Sequence, residues 1–70
     1  DLVVSCDYSE NIIVIKTVTA GAQSVASVFD AYENQYILGT VAGDDTIIVV
    51  VKPSTAVGEV MSLFNSMLNA

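Results

Sequence analysis

The sequence contains no histidine, and Cys6 is the only cysteine among its 70 residues. Histidine is the most common general base and metal ligand near neutral pH, so its absence removes both roles. One cysteine forms neither an intrachain disulfide nor a multi-thiolate metal site. Nucleophilic triads and the common zinc sites are therefore excluded. Because Cys6 lies in an apolar strand pattern, we interpret it as a small buried hydrophobic residue.

Basic residues are scarce as well. Lys16 and Lys52 stand against eight acidic residues, and the formal net charge is −6. Nucleic-acid binding depends on lysine and arginine side chains that neutralise phosphates, so this chain by itself should bind neither DNA nor RNA. An anionic membrane surface is disfavoured for the same reason. The charge favours a cationic partner, for which a small molecule is sufficient, or it serves only to keep an apolar chain soluble.

Long apolar runs and a signal-peptide pattern are also missing. The longest apolar run covers residues 46–51, far short of the roughly 20 residues that cross a bilayer. No basic segment precedes an apolar stretch with a cleavage site. We therefore expect a cytoplasmic protein.

Apolar residues are nevertheless abundant. Hydrophobic residues make up 53% of the chain and charged residues 14%, whereas a typical soluble domain has roughly 25% charged residues. A chain of this length buries only about 60% of the surface that its unfolded form exposes. One small core cannot hide so much apolar surface, so we expect the remainder to form subunit contacts in an obligate homo-oligomer.

The apolar periodicity changes along the chain in the order ββαββα. Apolar, β-branched runs predict strands over residues 2–8, 12–18, 36–42 and 46–51. Helical spacing predicts one helix that starts at Ala22 and a second that follows Pro53, with Ser54 or Thr55 as its cap. The apolar stripe of the first helix is Ala22, Val25, Ala26, Phe29 and Tyr32, and that of the second is Val57, Val60, Met61, Phe64, Met67 and Leu68.

This order predicts a two-layer α/β (α+β) domain over residues 1–70, in which a four-stranded antiparallel sheet carries two helices on one face. The continuous apolar character of residues 12–15 and 47–51 indicates strands that are buried on both faces. No helix is left to cover the second face. Association through that face or along a sheet edge is the expected solution.

Two adjacent carboxylates, Asp44 and Asp45, lie in a turn between the last two predicted strands, within the run Gly-Thr-Val-Ala-Gly-Asp-Asp-Thr at residues 39–46. Neighbouring anions repel by about 1 kcal/mol or more at contact distance. A solvated turn tolerates such a pair, whereas a pair at an interface needs a cation. The spacing alone leaves three interpretations open: a solvated hairpin turn, a site for a cationic ligand and a metal site.

Three features together carry a family resemblance: the octapeptide at residues 39–46, the pair Ala22-Gln23 at the start of the first helix, and Asp30 seven residues after Gln23. With them, essentially all 70 residues resemble the C-terminal domain of the bacterial arginine repressor. The resemblance implies trimers that pair into hexamers and bind the corepressor L-arginine between trimers. It also implies that a separate N-terminal winged helix-turn-helix domain, absent from these residues, binds operator DNA. One departure is that many members carry a proline where Ala20 stands.

The resemblance assigns the charged groups of the ligand to acidic residues. Asp44 would bind the guanidinium from the opposite trimer, with Asp45 beside it, because guanidinium and carboxylate pair well in a two-bond fork. Asp30 would pair with the α-ammonium group. L-Arginine is then the only ligand expected, with no metal and no further cofactor.

Three further residues complete the implied site. Gln23, two turns before Asp30 on the same helix face, would reach the α-carboxylate or the amino group of the ligand. Thr40 would contribute its hydroxyl and Ala42 its backbone carbonyl. Gly43 would permit a backbone geometry or a close approach that a β-carbon hinders.

Other function classes stay open from the residues alone. Paired acids suit a metal-assisted hydrolase, although no further cluster of ligands accompanies them. Similar small folds occur among pterin dehydratases, but those enzymes rely on histidines that this chain lacks. A closer alternative is an amino-acid-binding regulatory module of a metabolic enzyme, which would differ in its ligand and in the domain joined to it.

Overall fold

The strands and helices follow one another in the predicted order. The computed structural model describes residues 2–30 and 34–68. The elements are β1 (Val3–Ser9), β2 (Ile12–Thr17), α1 (Ala22–Asp30), β3 (Ile37–Ala42), β4 (Thr46–Val51), a 3₁₀ turn (Ser54–Ala56) and α2 (Val57–Leu68). The four strands form one antiparallel sheet, and both helices share a core with it. The prediction of a two-layer α+β fold is therefore confirmed.

Two hairpins build the sheet, and their second strands join them. The strand order is β1-β2-β4-β3, and each neighbouring pair is antiparallel. In the central pair, Ile13 lies opposite Val49 and Ile15 lies opposite Ile47. α1 connects β2 to β3, which are not neighbours in the sheet. β3 lies at one edge, where it pairs with β4.

The buried face of the sheet follows from the period-two pattern of the central strands. Ile13 and Ile15 in β2, and Ile47, Val49 and Val51 in β4, are fully buried. Successive side chains of a strand point to opposite faces, so these five residues share the face that the helices cover. Each such burial contributes about 1.5–3 kcal/mol. The core is therefore concentrated between the two central strands and the helices.

Both helices bury the apolar stripes that their spacing predicts. The rings of Phe29 in α1 and Phe64 in α2 are stacked with their centroids 4.1 Å apart, which joins the helices directly. Of the predicted stripe residues, Tyr32 and the side chains of Met67 and Leu68 lie outside the described part of the structure. The buried stripe residues are Ala22, Val25, Ala26, Phe29, Val57, Val60 and Phe64.

The start of the second helical segment differs from the prediction. Ser54 and Thr55 are expected as caps, but both lie inside the 3₁₀ turn that precedes α2. Pro53 occupies the N-cap position of that turn, and no side-chain hydrogen bond caps it. The capping prediction is wrong because the chain turns directly after Pro53, so both hydroxyl residues fall within the helical turn instead of before it.

The second face of the sheet is apolar, as the sequence predicts, and no described segment of the chain covers it. Val14, Ile48 and Val41 lie in one row across three neighbouring strands. Val41 is 69% exposed and Ile48 is 41% exposed. We call this surface, formed by Ile12, Val14, Val41, Ile48 and Val50, the open face. Within one chain, then, the central strands are covered on one face only.

Replacement of Gly58 by alanine should stabilise the domain. Gly58 is exposed in α2, and an added Cβ would meet no atom within 4 Å. Because alanine has the higher helix propensity, we expect the free energy of unfolding to rise by up to about 1 kcal/mol, measured by urea denaturation at fixed protein concentration. Gly21→Ala is the contrasting variant, since its Cβ would lie 3.0 Å from the carbonyl oxygen of Val18. A loss of stability in Gly58→Ala would contradict the prediction.

An acidic candidate site at the edge of the sheet

The two adjacent carboxylates lie in the tight connection between β3 and β4. The amide of Gly43 donates to the carbonyl oxygen of Thr46 at 2.8 Å, and Asp44 and Asp45 lie exposed between these residues. We call residues 43–46 the acid turn. The turn predicted from the sequence is thus present, and both of its acidic residues are exposed.

The chain from the last residue of β2 to the first residue of α1 anchors the acid turn. The amide of Thr17 donates to the carbonyl oxygen of Asp45 at 2.8 Å, and the amide of Ala22 donates to that of Asp44 at 3.2 Å. The amide of Ala20 donates to Asp44 Oδ2 at 3.3 Å. The first turn of α1 contains no acidic residue. Asp44 therefore supplies, from another segment, the negative charge that a helix N-terminus favours.

The backbone at Ala20 adopts a left-handed conformation, with φ at 64°. The ring of proline fixes φ near about −65° and removes the amide hydrogen. A proline at this position would therefore fit neither the backbone nor the hydrogen bond to Asp44. The resemblance implies proline in many family members where Ala20 stands, but the backbone of this chain suits glycine at that position.

Asp45 is held from the opposite side. The hydroxyl of Thr46 donates to Asp45 Oδ1 at 2.9 Å, and the ammonium group of Lys16 donates to Thr46 Oγ1 at 2.9 Å. Lys16 lies directly opposite Thr46 in the register of β2 and β4. No local sequence pattern marks either residue, because their juxtaposition depends on the pairing of strand residues that are 30 positions apart.

The remaining predicted site residues meet in pairs where α1 passes β3. The side-chain amide of Gln23 donates to the carbonyl oxygen of Ala42 at 3.0 Å. The hydroxyl of Thr40 donates to Asp30 Oδ1 at 2.9 Å. Residues seven apart lie on one face of a helix, and this face of α1 follows the edge strand. Four of the six predicted residues thus meet along the edge strand β3, and the other two lie in the acid turn that follows it.

The cleft in the described part of the structure contains only two of these six residues. It has a volume of about 610 Å³, opens at the end of α1 and contains Asp30 and Thr40 but not the other four predicted residues. Asn34 and Gln35 also line it, and no sequence pattern assigns either of them a functional role. The cleft is lined by Phe29, Asp30, Asn34, Gln35, Ile37, Gly39 and Thr40.

Gly43 has no special requirement within one chain. Its φ is not positive, and an added Cβ would lie 3.8 Å from the carbonyl oxygen of Thr46, an ordinary contact distance. The backbone geometry that the sequence analysis assigns to this glycine is therefore not needed by the fold. Only close approach by a group from outside the chain would require it.

The other chemical groups of the described residues give no second candidate. Burial, followed by the charge of Asp7, raises the pKa of the Cys6 thiol above its ordinary value. A protonated thiol packed against the core suits the predicted packing role. Residues 2–30 and 34–68 contain no group of three potential metal ligands. Neither described helix has the length and apolar character to cross a membrane.

The fold and the site together define a small two-layer α+β domain with acidic acceptors along one sheet edge. Comparison with known families agrees: the family described as "Arginine repressor, C-terminal domain" matches residues 1–66. The chain belongs to this family, which is one of transcriptional regulators and not of enzymes.

Individual relatives support the same assignment over almost the whole chain. The chain is 51% identical over 67 residues to an arginine repressor of Pelotomaculum thermopropionicum, covering 96% of this chain and 44% of that protein. It is 48% identical over 68 residues to an arginine repressor of Syntrophomonas wolfei, covering 97% of this chain and 44% of that protein. It is 46% identical over 67 residues to an arginine repressor of Moorella thermoacetica, covering 96% of this chain and 44% of that protein. The chain thus spans less than half the length of these relatives.

Replacement of Ala20 by glycine should stabilise the fold. A left-handed conformation costs an L-residue about 1–2 kcal/mol, and glycine avoids this at a smaller entropic cost. We expect the free energy of unfolding to rise by about 1 kcal/mol in a urea titration. Ala20→Pro should unfold or strongly destabilise the domain. The matched control is Thr19→Gly, where φ is not positive and glycine should lower stability. Equal losses in Ala20→Gly and Thr19→Gly would exclude strain at Ala20.

Proposed function

We propose that this domain binds L-arginine at the acid turn and the adjoining edge of the sheet, as the ligand-sensing and oligomerisation part of a regulator of arginine metabolism. One observation carries the proposal. Asp44 accepts a hydrogen bond at Oδ2 and Asp45 at Oδ1, so among the described residues Asp44 Oδ1 and Asp45 Oδ2 have no donor. Two neighbouring carboxylates thus each keep an acceptor oxygen.

A guanidinium group matches this pair of acceptors. It is planar, stays charged at all physiological pH values and carries five N–H donors in a fixed fork. Charge-assisted hydrogen bonds of this kind are shorter and roughly twice as strong as neutral ones. A cation placed between Asp44 and Asp45 also relieves their mutual repulsion. Arginine therefore matches both the acceptors and the charge of the acid turn.

The pairs along α1 supply the acceptors and donors for the other end of the ligand. Asp30 keeps Oδ2 free of any described hydrogen bond while Thr40 occupies Oδ1, so it is the proposed partner of the α-ammonium group. Gln23 has donor and acceptor atoms for the α-carboxylate or the amino group. The carbonyl oxygen of Ala42 has a second lone pair beyond the one that Gln23 uses.

The openness of the site supports a position between subunits. Gln23, Asp30, Asp44 and Asp45 are all exposed in the single chain. Small-molecule sites commonly bury roughly 70–90% or more of the ligand surface. We infer that a second copy of the domain supplies the missing wall, with arginine bound between two trimers of a hexamer. The apolar open face provides contacts for assembly.

In the full-length protein, we propose that this domain controls a separate DNA-binding domain. The relatives named above are arginine repressors more than twice as long as this chain. The charge of −6 suits a domain that senses ligand and leaves contact with phosphates to another part of the protein. Arginine bound between subunits would change how the assembly presents N-terminal winged helix-turn-helix domains to operator DNA in the cytoplasm.

Calorimetric titration with L-arginine tests the ligand assignment. We expect selective binding of L-arginine over L-lysine and L-citrulline, because lysine lacks the planar fork and citrulline lacks the charge. Asp44→Asn should weaken binding about tenfold or more through loss of a charge-assisted hydrogen bond. Glu59→Gln, which changes the same charge in the first turn of α2, is the control and should bind normally. A folded, assembled protein that does not bind L-arginine would refute the proposal.

Sedimentation velocity tests the link between ligand and assembly. At protein concentrations that dissociate the native assembly, L-arginine should shift the distribution to larger species, because a ligand bound between subunits stabilises the assembled form. At about 100 times the Kd, one site contributes about 2.7 kcal/mol.

Two lysine variants serve as controls for this shift. Ile48→Lys places a charge on the open face and should prevent assembly. Ser62→Lys makes the same change in charge at an exposed position of α2 and should behave like the native protein. An oligomer distribution that L-arginine leaves unchanged under dissociating conditions would count against an interface site.

A further inference from the structure

Lys16, Thr46 and Asp45 form a hydrogen-bonded relay at the base of the acid turn. Lys16 Nζ donates to Thr46 Oγ1, and Thr46 Oγ1 donates to Asp45 Oδ1, each at 2.9 Å. The register of β2 and β4 places Lys16 directly opposite Thr46, so the central strand pair itself keeps the two side chains together. Neither Lys16 nor Thr46 belongs to the ligand residues that the resemblance implies.

The chemistry of the three groups fixes the direction of this relay. An ammonium group only donates hydrogen bonds, a carboxylate only accepts them, and a hydroxyl does both. Because Lys16 donates to the oxygen of Thr46, the single hydroxyl hydrogen of Thr46 is left for Asp45. Consecutive hydrogen bonds polarise one another. Lys16 therefore makes the hydroxyl a stronger donor and restricts the rotation of the Asp45 carboxylate.

We propose that Lys16, acting through Thr46, is a positioning residue for the guanidinium site. The relay occupies Oδ1 of Asp45 and fixes the carboxylate so that Oδ2 stays available to the ligand. This inference rests on the proposed binding of L-arginine and adds to it a specific contribution of one of the two cationic side chains in the chain. A preorganised carboxylate loses less side-chain freedom on binding, so the relay increases affinity.

Charge alone predicts the opposite effect of Lys16. A guanidinium bound at Asp45 lies near the ammonium group, and like charges repel. If Lys16 acted only as a nearby cation, its removal would strengthen arginine binding. If it positions Asp45, its removal weakens binding even though the site becomes more negative. The sign of the change therefore separates the two roles.

A double-mutant cycle on Lys16 and Thr46, read by calorimetry with L-arginine, tests the relay. Thr46→Val removes the hydroxyl without changing the charge and should weaken binding about threefold to tenfold. Lys16→Met should weaken binding roughly threefold in the native background and should not weaken it further in Thr46→Val. Lys16→Arg and Thr46→Ser keep the hydrogen-bond donors, so these two variants should retain most of the native affinity. A merely structural role of Lys16 and Thr46 would not require the donors to be kept.

Lys52→Met is the matched control, because it makes the same charge change just beyond the opposite end of β4 and should not weaken binding. If the native protein does not bind L-arginine, the proposed function fails and this inference fails with it. If the native protein binds L-arginine but Lys16→Met binds it equally well or more tightly, only the relay is refuted. If a urea titration shows that Thr46→Val does not fold, Lys16→Met and Lys16→Arg decide between the two roles of Lys16. Weaker binding in Lys16→Met with near-native binding in Lys16→Arg supports positioning, and equal or tighter binding in Lys16→Met refutes it.

Discussion

The hydrogen bonds to the acid turn from the chain between the last residue of β2 and the first residue of α1, both included, are the constraint on which the site depends. Two adjacent carboxylates repel each other, so fixed donors are needed to keep their turn in one conformation. The donors here are backbone amides, those of Thr17, Ala20 and Ala22, which cannot rotate away as side chains do. The same contacts place the start of α1 beside the β3–β4 connection. Gln23 consequently meets Ala42, and Asp30 meets Thr40 further along the helix.

The two carboxylates of the acid turn are stabilised by different groups. Asp44 lies against the amide of Ala20, next to the positive end of α1. Asp45 accepts from Thr46, which in turn accepts from Lys16. Each mechanism uses one carboxylate oxygen, so both residues retain an acceptor. The left-handed backbone of Ala20 directs its amide at Asp44, and strain of this kind persists where the surrounding structure fixes it and is common at functional sites.

Local patterns made most of the fold predictable, whereas contacts between distant segments limited prediction of the site. The helical spacing up to Phe64 reports which face of a helix is buried, and the structure confirms it. The continuous apolar run at residues 12–15 does not distinguish the two faces of β2, which only the packing of the helices decides. The pairing of Lys16 with Thr46 depends on the register of β2 against β4, which no local pattern encodes. The cap assigned to Ser54 failed because Pro53 starts the helical turn one residue earlier. The cleft at Asn34 likewise requires the position of α1 relative to β3.

The composition of the chain connects ligand binding to assembly in physical terms. Association through the open face, as proposed, would remove Val41 and Ile48 from water, which is favourable, but it would also bring together copies that each carry a charge of −6. At neutral pH, L-arginine carries two positive groups and one negative group, so each bound molecule would reduce that repulsion by one charge. Simple salt also screens repulsion between exposed charges, largely removing it where they lie more than about 10 Å apart at 0.1 M ionic strength. Salt, however, weakens the direct contact between guanidinium and carboxylate. If arginine acts by binding at the acid turn, added salt should therefore favour assembly of the free domain while reducing the additional effect of arginine. If arginine acted only by neutralising charge, added salt and arginine would instead favour assembly in the same way, and either could replace the other.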